Sequence, residues 1–203
     1  MSNKEKMKYI INILEKEYGK PKVFLNYTTE YQLMVAVILS AQCTDERVNA
    51  TTKELFKFVK TPEDMLELPE STLKKLIFSC GFYNNKAKNL KENAKVLINS
   101  FNGILPRNIK DLTSLPGVGR KTANVLLYEL WNITEGIVVD THVKKISNEL
   151  GFSNSKNPEI IEKDLMKIVP KNYWGLVPKY FILHGRKKCK INNLDCEICK
   201  LKK

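Results

Sequence analysis

One short segment constrains the fold of this chain more than any other: Leu115–Ala123 reads Leu-Pro-Gly-Val-Gly-Arg-Lys-Thr-Ala. Two glycines bound a tight turn, and the periodicity that follows predicts a helix from about Arg120 to Trp131. We expect Gly117 and Gly119 both to adopt positive φ and to admit an anion where a Cβ would block it. Unpaired amides and the helix dipole favour an anion at a helix start, so the segment predicts a phosphate site.

Helical periodicity also dominates the rest of the chain, and no convincing run shows the alternation expected of a strand. The sequence therefore predicts an all-α protein. Met7, Ile10, Ile11 and Leu14 form an amphipathic stripe that ends at Gly19. The other helices are expected at Gln32–Gln42 (buried nearly all round), Asp45–Phe56, from Thr61-Pro62, at Lys86–Phe101, from Asp140 to Gly151, from Asn157-Pro158 and up to His184-Gly185.

Composition narrows the class of partner. The chain has 203 residues, and 34 Lys and Arg against 22 Asp and Glu give a net charge of +12, which favours a polyanion at long range. Alternatively, the same surplus of positive charge reflects only lysines scattered over solvated helix faces. The N-terminus is polar and no apolar run reaches the roughly 20 residues of a membrane span, so we expect an intracellular protein of the cytoplasm or nucleoid.

Two side chains supply candidate chemistry. Lys121 would lie in the first turn of the hairpin helix, and Asp140 follows nineteen residues later in Val-Val-Asp-Thr-His. A neutral lysine amine is a nucleophile, while a carboxylate can accept a proton or stabilise developing positive charge. Taken singly, each residue also has a purely structural interpretation: the lysine as a surface charge and the aspartate as a helix N-cap.

Several motifs in order across nearly the whole chain carry a family resemblance. Besides the hairpin, Val-Asp-Thr-His and the terminal cysteines, these are Ser40–Asp45 (Ser-Ala-Gln-Cys-Thr-Asp), Gly81–Ala87 (Gly-Phe-Tyr-Asn-Asn-Lys-Ala) and Leu183–Arg186 (Leu-His-Gly-Arg). Together they resemble the endonuclease III branch of the helix-hairpin-helix DNA glycosylase superfamily. The resemblance implies a two-lobed helical fold with a central DNA-binding cleft, one lobe spanning 22–134 and the other combining 1–21 with 135–203. It also implies a monomer that acts on double-stranded DNA.

The same resemblance implies a bifunctional DNA glycosylase and AP lyase of base excision repair. Lys121 would attack C1′ of the damaged nucleotide and form a Schiff base, with Asp140 beside it in the cleft, and β-elimination would then cut the abasic strand. Oxidised pyrimidines are the substrates that the resemblance favours. A mismatch- or adenine-type glycosylase and a non-catalytic helix-hairpin-helix DNA-binding module are the alternatives.

Opening the duplex leaves a gap that protein side chains must fill. Gln42 can satisfy the orphaned base, and the ring of Phe82, where relatives commonly have an aliphatic residue, can wedge between base steps. Core packing for Phe82 and a helix-end contact for Gln42 are the structural alternatives. Backbone contacts to DNA are expected from the hairpin and one basic residue near the C-terminus: Gly117, Val118, Gly119, Arg120, Thr122 and Arg186.

The cysteines divide into two groups. Cys43 and Cys80 stand alone and read as buried thiols, whereas Cys189, Cys196 and Cys199 crowd the end of the chain. Their spacing matches three of the four cysteines of the resembled family's [4Fe–4S] signature, the fourth of which would fall at position 205. A cluster with an exogenous fourth ligand, a zinc site that uses His184, and a loop without metal all remain open. None of them is required for the chemistry.

Overall fold

The structure is a computed structural model that describes residues 1–21, 23–187 and 196–201. The all-α prediction is confirmed, because the described residues form helices and connecting segments without a β-strand. In chain order the α-helices are α1 (Asn3–Tyr18), α2 (Glu30–Leu39), α3 (Asp45–Leu55), α4 (Pro62–Glu67), α5 (Glu70–Ile77), α6 (Tyr83–Phe101), α7 (Ile109–Ser114), α8 (Arg120–Trp131), α9 (Thr141–Glu149), α10 (Pro158–Ile168) and α11 (Leu176–Lys187). Short 3-10 helices occur at Phe78–Cys80, Lys171–Tyr173 and Cys199–Leu201.

Threonine side chains start three helices of the central part of the chain. Thr29, Thr44 and Thr61 each accept a hydrogen bond from the backbone amide three residues further on, which satisfies one of the unpaired donors of a helix start. At Thr61 the Asp64 carboxylate also accepts from the Thr61 amide at 3.0 Å, which completes a capping box. These helix starts are therefore encoded locally.

The chain folds into two compact units: Val23–Trp131, called here the central unit, and Met1–Lys22 with Asn132–Lys203, called the terminal unit. In the central unit, α2 is the core element, because every one of its residues after Glu30 is buried. Helices α3, α6 and α8 pack around it. In the terminal unit, α1 buries its stripe against α10 and α11, and α11 also packs on α9.

Two predicted helix boundaries are wrong by three residues. Helix α2 ends at Leu39, not Gln42, since the Ser40 hydroxyl donates to the Val37 carbonyl at 2.8 Å and Gln42 takes a positive φ of 53°. Helix α6 begins at Tyr83, three residues before Lys86. None of the described helices is long and apolar enough to cross a membrane.

Candidate nucleic-acid interface and catalytic residues

The glycine turn joins α7 to α8, so this part of the central unit is a helix-hairpin-helix. Gly117 has the predicted positive φ, at 82°, and a Cβ built there would lie 3.2 Å from Cβ of Asn89. The turn is held from the side by Asn93, whose amide nitrogen donates to the Pro116 carbonyl at 3.1 Å. Backbone conformation and close packing on α6 together require glycine at position 117.

Gly119 behaves differently, and the prediction of positive φ at this residue is wrong. It directly precedes α8, and its carbonyl accepts the first helical hydrogen bond from the Ala123 amide at 2.9 Å, which calls for no left-handed conformation. Apart from its chain neighbours, no heavy atom of the described residues lies within 4 Å of a Cβ built at Gly119. This face of the turn is therefore open. Close approach of an anion, which the sequence also predicted, requires such an open face.

Val118 anchors the hairpin. Its side chain is buried, and its amide donates to the Leu115 carbonyl at 3.0 Å within the turn itself. The donors that a phosphate can meet therefore belong to Gly119 and to the first turn of α8, whose amides have no partners inside the helix.

Lys121 is the second residue of α8, and its side chain is exposed. Arg120 beside it is also exposed, whereas Thr122 is half-buried. Lys121 thus lies within one helical turn of the amides that can hold a phosphate. Helix α8 itself is anchored in the central unit through Ala123, Asn124, Leu126 and Leu127, which are buried.

Asp140, in the terminal unit, is the N-cap of α9, as the structural reading of the sequence suggested. Its Oδ1 accepts a hydrogen bond from the Val143 amide at 2.8 Å, and the residue is half-buried. This bond fixes the orientation of the carboxylate and leaves Oδ2 without a partner among the described residues. Capping and chemistry are compatible here, because the cap occupies one oxygen only.

The first turn of α9 packs closely on α11. A Cβ built at Gly185 of α11 would lie 2.5 Å from Nδ1 and 3.2 Å from Cγ of His142, so only glycine fits at this crossing. His142 thus has a packing role two residues after Asp140. Arg186, the next residue of α11, is exposed in the last turn of that helix.

Gln42 and Phe82 both have unusual backbone conformations. Four non-glycine residues among those described have positive φ, and two of these are asparagines, which tolerate it well. The other two are Gln42, at 53°, and Phe82, at 44°. Such conformations cost on the order of 1–3 kcal/mol each and cluster at functional sites.

Both side chains are also exposed, and that of Phe82 is 64 % accessible. Neither is buried in the core, which was the structural alternative for Phe82. The two turns present a polar amide and an apolar ring to solvent, as insertion into a duplex would require.

Sequence reasoning missed Lys86, whose side chain contacts both of these turns. Its side chain is only 5 % accessible, and Nζ donates to three backbone carbonyls, those of Leu39, Ala41 and Cys80. The available signal was its phase on α6, since Lys86 lies four residues before Leu90 on the buried face of that helix.

The cysteines are described only in part. Cys43 is half-buried and Cys80 buried, both with free thiols, whereas Cys189 and the side chain of Cys199 lie outside the described residues. Cys196 is buried, and its Sγ lies 3.1 Å from Nε2 of His184. The described residues contain no group of three or more His, Cys, Asp or Glu that could hold a metal ion. They do not by themselves supply the ligand set of an iron–sulfur cluster.

Comparisons with known proteins agree on one family. The model of the HhH-GPD superfamily of base excision DNA repair proteins matches residues 35–171. Endonuclease III of Rickettsia conorii is 45 % identical over 193 residues, which cover 95 % of this chain and 91 % of the relative. Endonuclease III of Escherichia coli is 38 % identical over 197 residues, covering 97 % of this chain and 93 % of the relative.

Among solved structures, a non-covalent endonuclease III–DNA complex matches with a TM-score of 0.92 and 38 % identity, covering 100 % of this chain and 96 % of that one. The site residues proposed from the hairpin and from α9 therefore lie in a chain that is similar to DNA-bound proteins along its whole length.

Proposed function

Because the chain belongs to the HhH-GPD superfamily of base excision DNA repair proteins, we propose that it is a bifunctional DNA glycosylase and AP lyase. The observation that carries the proposal is the position of Lys121, an exposed amine on the first turn of the helix that follows an open glycine turn. A module that only bound phosphate would need the amides of that turn but no lysine nucleophile. The substrate we propose is double-stranded DNA with an oxidised pyrimidine or an abasic site.

The reaction uses the neutral amine of Lys121. Its Nζ attacks C1′, the N-glycosidic bond breaks, and the base leaves with a proton. O4′ then takes a proton from solvent as the C1′–O4′ bond opens, which produces a protonated imine between Lys121 and the sugar. Loss of a C2′ proton next expels the 3′ phosphate by β-elimination, and water hydrolyses the imine to release the enzyme.

Asp140 supplies the carboxylate for the first step. Its Oδ1 is held by the Val143 amide, so Oδ2 is the atom we assign to the reaction. It either stabilises the positive charge that develops on the sugar or accepts the proton that the attacking amine loses.

The glycine turn and the two exposed turns divide the binding between them. Gly119, Arg120, Thr122 and Arg186 are proposed to hold the DNA backbone, which carries no sequence information, whereas Gly117 and Val118 set the shape of the turn. Gln42 and Phe82 are proposed to fill the gap left by the flipped nucleotide. This division suits an enzyme that inspects many sites before it finds damage, and we place its activity in the cytoplasm at the nucleoid, as a monomer.

A relative supports the covalent step. A trapped endonuclease III–DNA covalent intermediate has been solved, and this chain matches it with a TM-score of 0.92 at 38 % identity, covering 100 % of this chain and 97 % of that one. The [4Fe–4S] cluster stays a prediction, since the described residues do not complete a ligand set and no step above uses it. Iron and acid-labile sulfide analysis of the purified full chain tests it.

Borohydride trapping tests the proposed function. Borohydride reduces the imine to a stable amine, so the full chain incubated with a duplex that contains an abasic site should give a covalent adduct. Lys121→Ala should give none, whereas Lys53→Ala, which removes an exposed lysine of α3, should trap as the parent does. An adduct that persists in Lys121→Ala would remove this lysine from its role. Duplexes with an oxidised pyrimidine, a G·T mismatch or adenine opposite 8-oxoguanine then distinguish the glycosylase classes.

A further inference from the structure

Lys86 is buried among backbone carbonyls. Its Nζ donates to the carbonyls of Leu39 at 2.9 Å, Ala41 at 2.8 Å and Cys80 at 2.8 Å. An ammonium group has three donors, so these bonds use its whole capacity. Burial lowers the pKa of Lys86, as expected for a cation removed from water.

The three carbonyls come from two separate segments. Leu39 and Ala41 belong to the end of α2 and the turn that follows it, and Cys80 ends the 3-10 helix Phe78–Cys80. Partial negative charge collects at the carboxyl end of a helix, which explains why a cation is favourable beside Leu39. One side chain therefore joins the turn that carries Gln42 to the turn that carries Phe82.

One bond acts on the peptide group of an unusual dihedral, that of Gln42, and another acts one peptide before that of Phe82. The Ala41 carbonyl is in the same rigid peptide plane as the amide of Gln42, so fixing it constrains φ of Gln42. The Cys80 carbonyl shares its plane with the amide of Gly81, whose φ is 66°, and Phe82 follows directly. Strained conformations persist only where surrounding structure determines them, and Lys86 supplies such a constraint at Gln42 itself and at Gly81, the residue before Phe82.

We propose that Lys86 is a positioning residue that couples the Gln42 and Phe82 turns, so that the two side chains enter the duplex as one preorganised unit. The inference rests on the proposed function, since it assigns Lys86 to the step in which the damaged nucleotide leaves the stack. Lys86 itself is buried and touches no DNA in this account. Its effect passes through the backbone of the residues before Gln42 and Phe82.

The chain contains a matched control on the same helix. Lys91 of α6 also donates Nζ to three backbone carbonyls, those of Met65, Leu66 and Leu68, and burial lowers its pKa as well. Those carbonyls belong to the end of α4 and the link to α5, outside the Gln42 and Phe82 turns. Lys91→Met and Lys86→Met thus remove the same kind of interaction, but only Lys86→Met removes it from the Gln42 and Phe82 turns.

The experiment compares both variants with the parent chain. The readouts are the affinity for a duplex with a tetrahydrofuran abasic analogue relative to an undamaged duplex, and the fluorescence of 2-aminopurine opposite the analogue, which rises on unstacking. We expect Lys86→Met to reduce the affinity ratio about tenfold and to lose most of the fluorescence rise. Lys91→Met should keep the ratio within about twofold, although urea unfolding should show that both variants are destabilised.

A second measurement leaves Lys86 in place, in case Lys86→Met does not fold. If the two turns act as one unit, the losses in affinity ratio for Gln42→Ala and Phe82→Ala should be non-additive in the double variant by about fivefold or more. Additive losses, or a Lys86→Met protein that is folded and keeps the parent ratio and fluorescence, would overturn the inference. If the parent itself shows no preference for the abasic analogue, the proposed function has failed instead.

Discussion

The two glycines of the hairpin turn should respond in opposite ways to alanine. At Gly117, an L-residue at a φ of 82° costs about 1–2 kcal/mol, and the added Cβ would lie 3.2 Å from Cβ of Asn89 and 3.5 Å from Cγ2 of Ile38. Crowding of this kind typically costs another 1 kcal/mol or more, against a gain of about 0.4–1 kcal/mol from the stiffer unfolded chain. We expect Gly117→Ala to lower the free energy of unfolding by about 2 kcal/mol.

At Gly119 neither penalty applies, because φ lies outside the left-handed region and the part of the chain that the structure describes places no heavy atom within 4 Å of the new Cβ, chain neighbours apart. Alanine is a poorer N-cap than glycine, and this loss roughly cancels the gain of about 0.4–1 kcal/mol from the unfolded chain. Gly119→Ala should therefore leave the free energy of unfolding within about 1 kcal/mol of the parent value. DNA affinity should nevertheless fall about tenfold or more, because the added Cβ would keep a phosphate from the amides of the turn, and a hydrogen bond to a charged group contributes about 1.5–3 kcal/mol.

Urea unfolding followed by circular dichroism measures the first quantity. Fluorescence anisotropy with a labelled duplex, at a fixed salt concentration, measures the second. The contrast between the variants is the test: a Gly119→Ala protein that binds DNA as tightly as the parent would refute the assignment of the open face to a phosphate. A Gly119→Ala protein as unstable as Gly117→Ala would refute the account of the turn.

Asp140→Asn should keep the N-cap of α9 and leave the free energy of unfolding within about 0.5 kcal/mol of the parent value, while the rate of single-turnover base release falls about 10²-fold or more. Asp140→Ala should lose both the cap and the activity. A fully active Asp140→Asn would contradict a role for the charge. Gly185→Ala should displace the ring of His142 and destabilise the protein by about 1–3 kcal/mol in urea unfolding, and an unchanged midpoint would contradict the close packing of α9 on α11. The pKa of Asp164 is lowered below its usual 3.8, first by a hydrogen bond from the Ser153 hydroxyl and then by one from the Lys167 ammonium. The ionised carboxylate therefore stabilises the folded protein above pH 3.8, and this stabilisation is lost as the pH falls through the lowered pKa. Asp164→Ala should accordingly destabilise the protein by at most about 1 kcal/mol at pH 7, and a difference that fails to shrink below pH 3.8 would exclude this origin.

Local signals explain what was predictable about the helices. Thr61-Pro62 marked the start of α4 because a capping hydroxyl and a proline act within one turn. The end of α2 was mispredicted because no glycine or proline follows Leu39 to mark it, while the Gln42 conformation beyond the helix is supported by Lys86, more than forty residues away in sequence.

The order of residues alone determined the helical class, the glycine turn and the two side chains proposed for chemistry, since periodicity, caps and short motifs act over a few neighbouring residues. Only tertiary structure decided that Gly119 needs no positive φ, that Val118 faces inward, and that Lys86 is buried beneath both strained turns. The physical reason is that Lys86 binds backbone carbonyls, which every residue has. The identities of Leu39 and Ala41 therefore do not indicate a partner on α6. That pairing exists only once α2 and α6 are packed together.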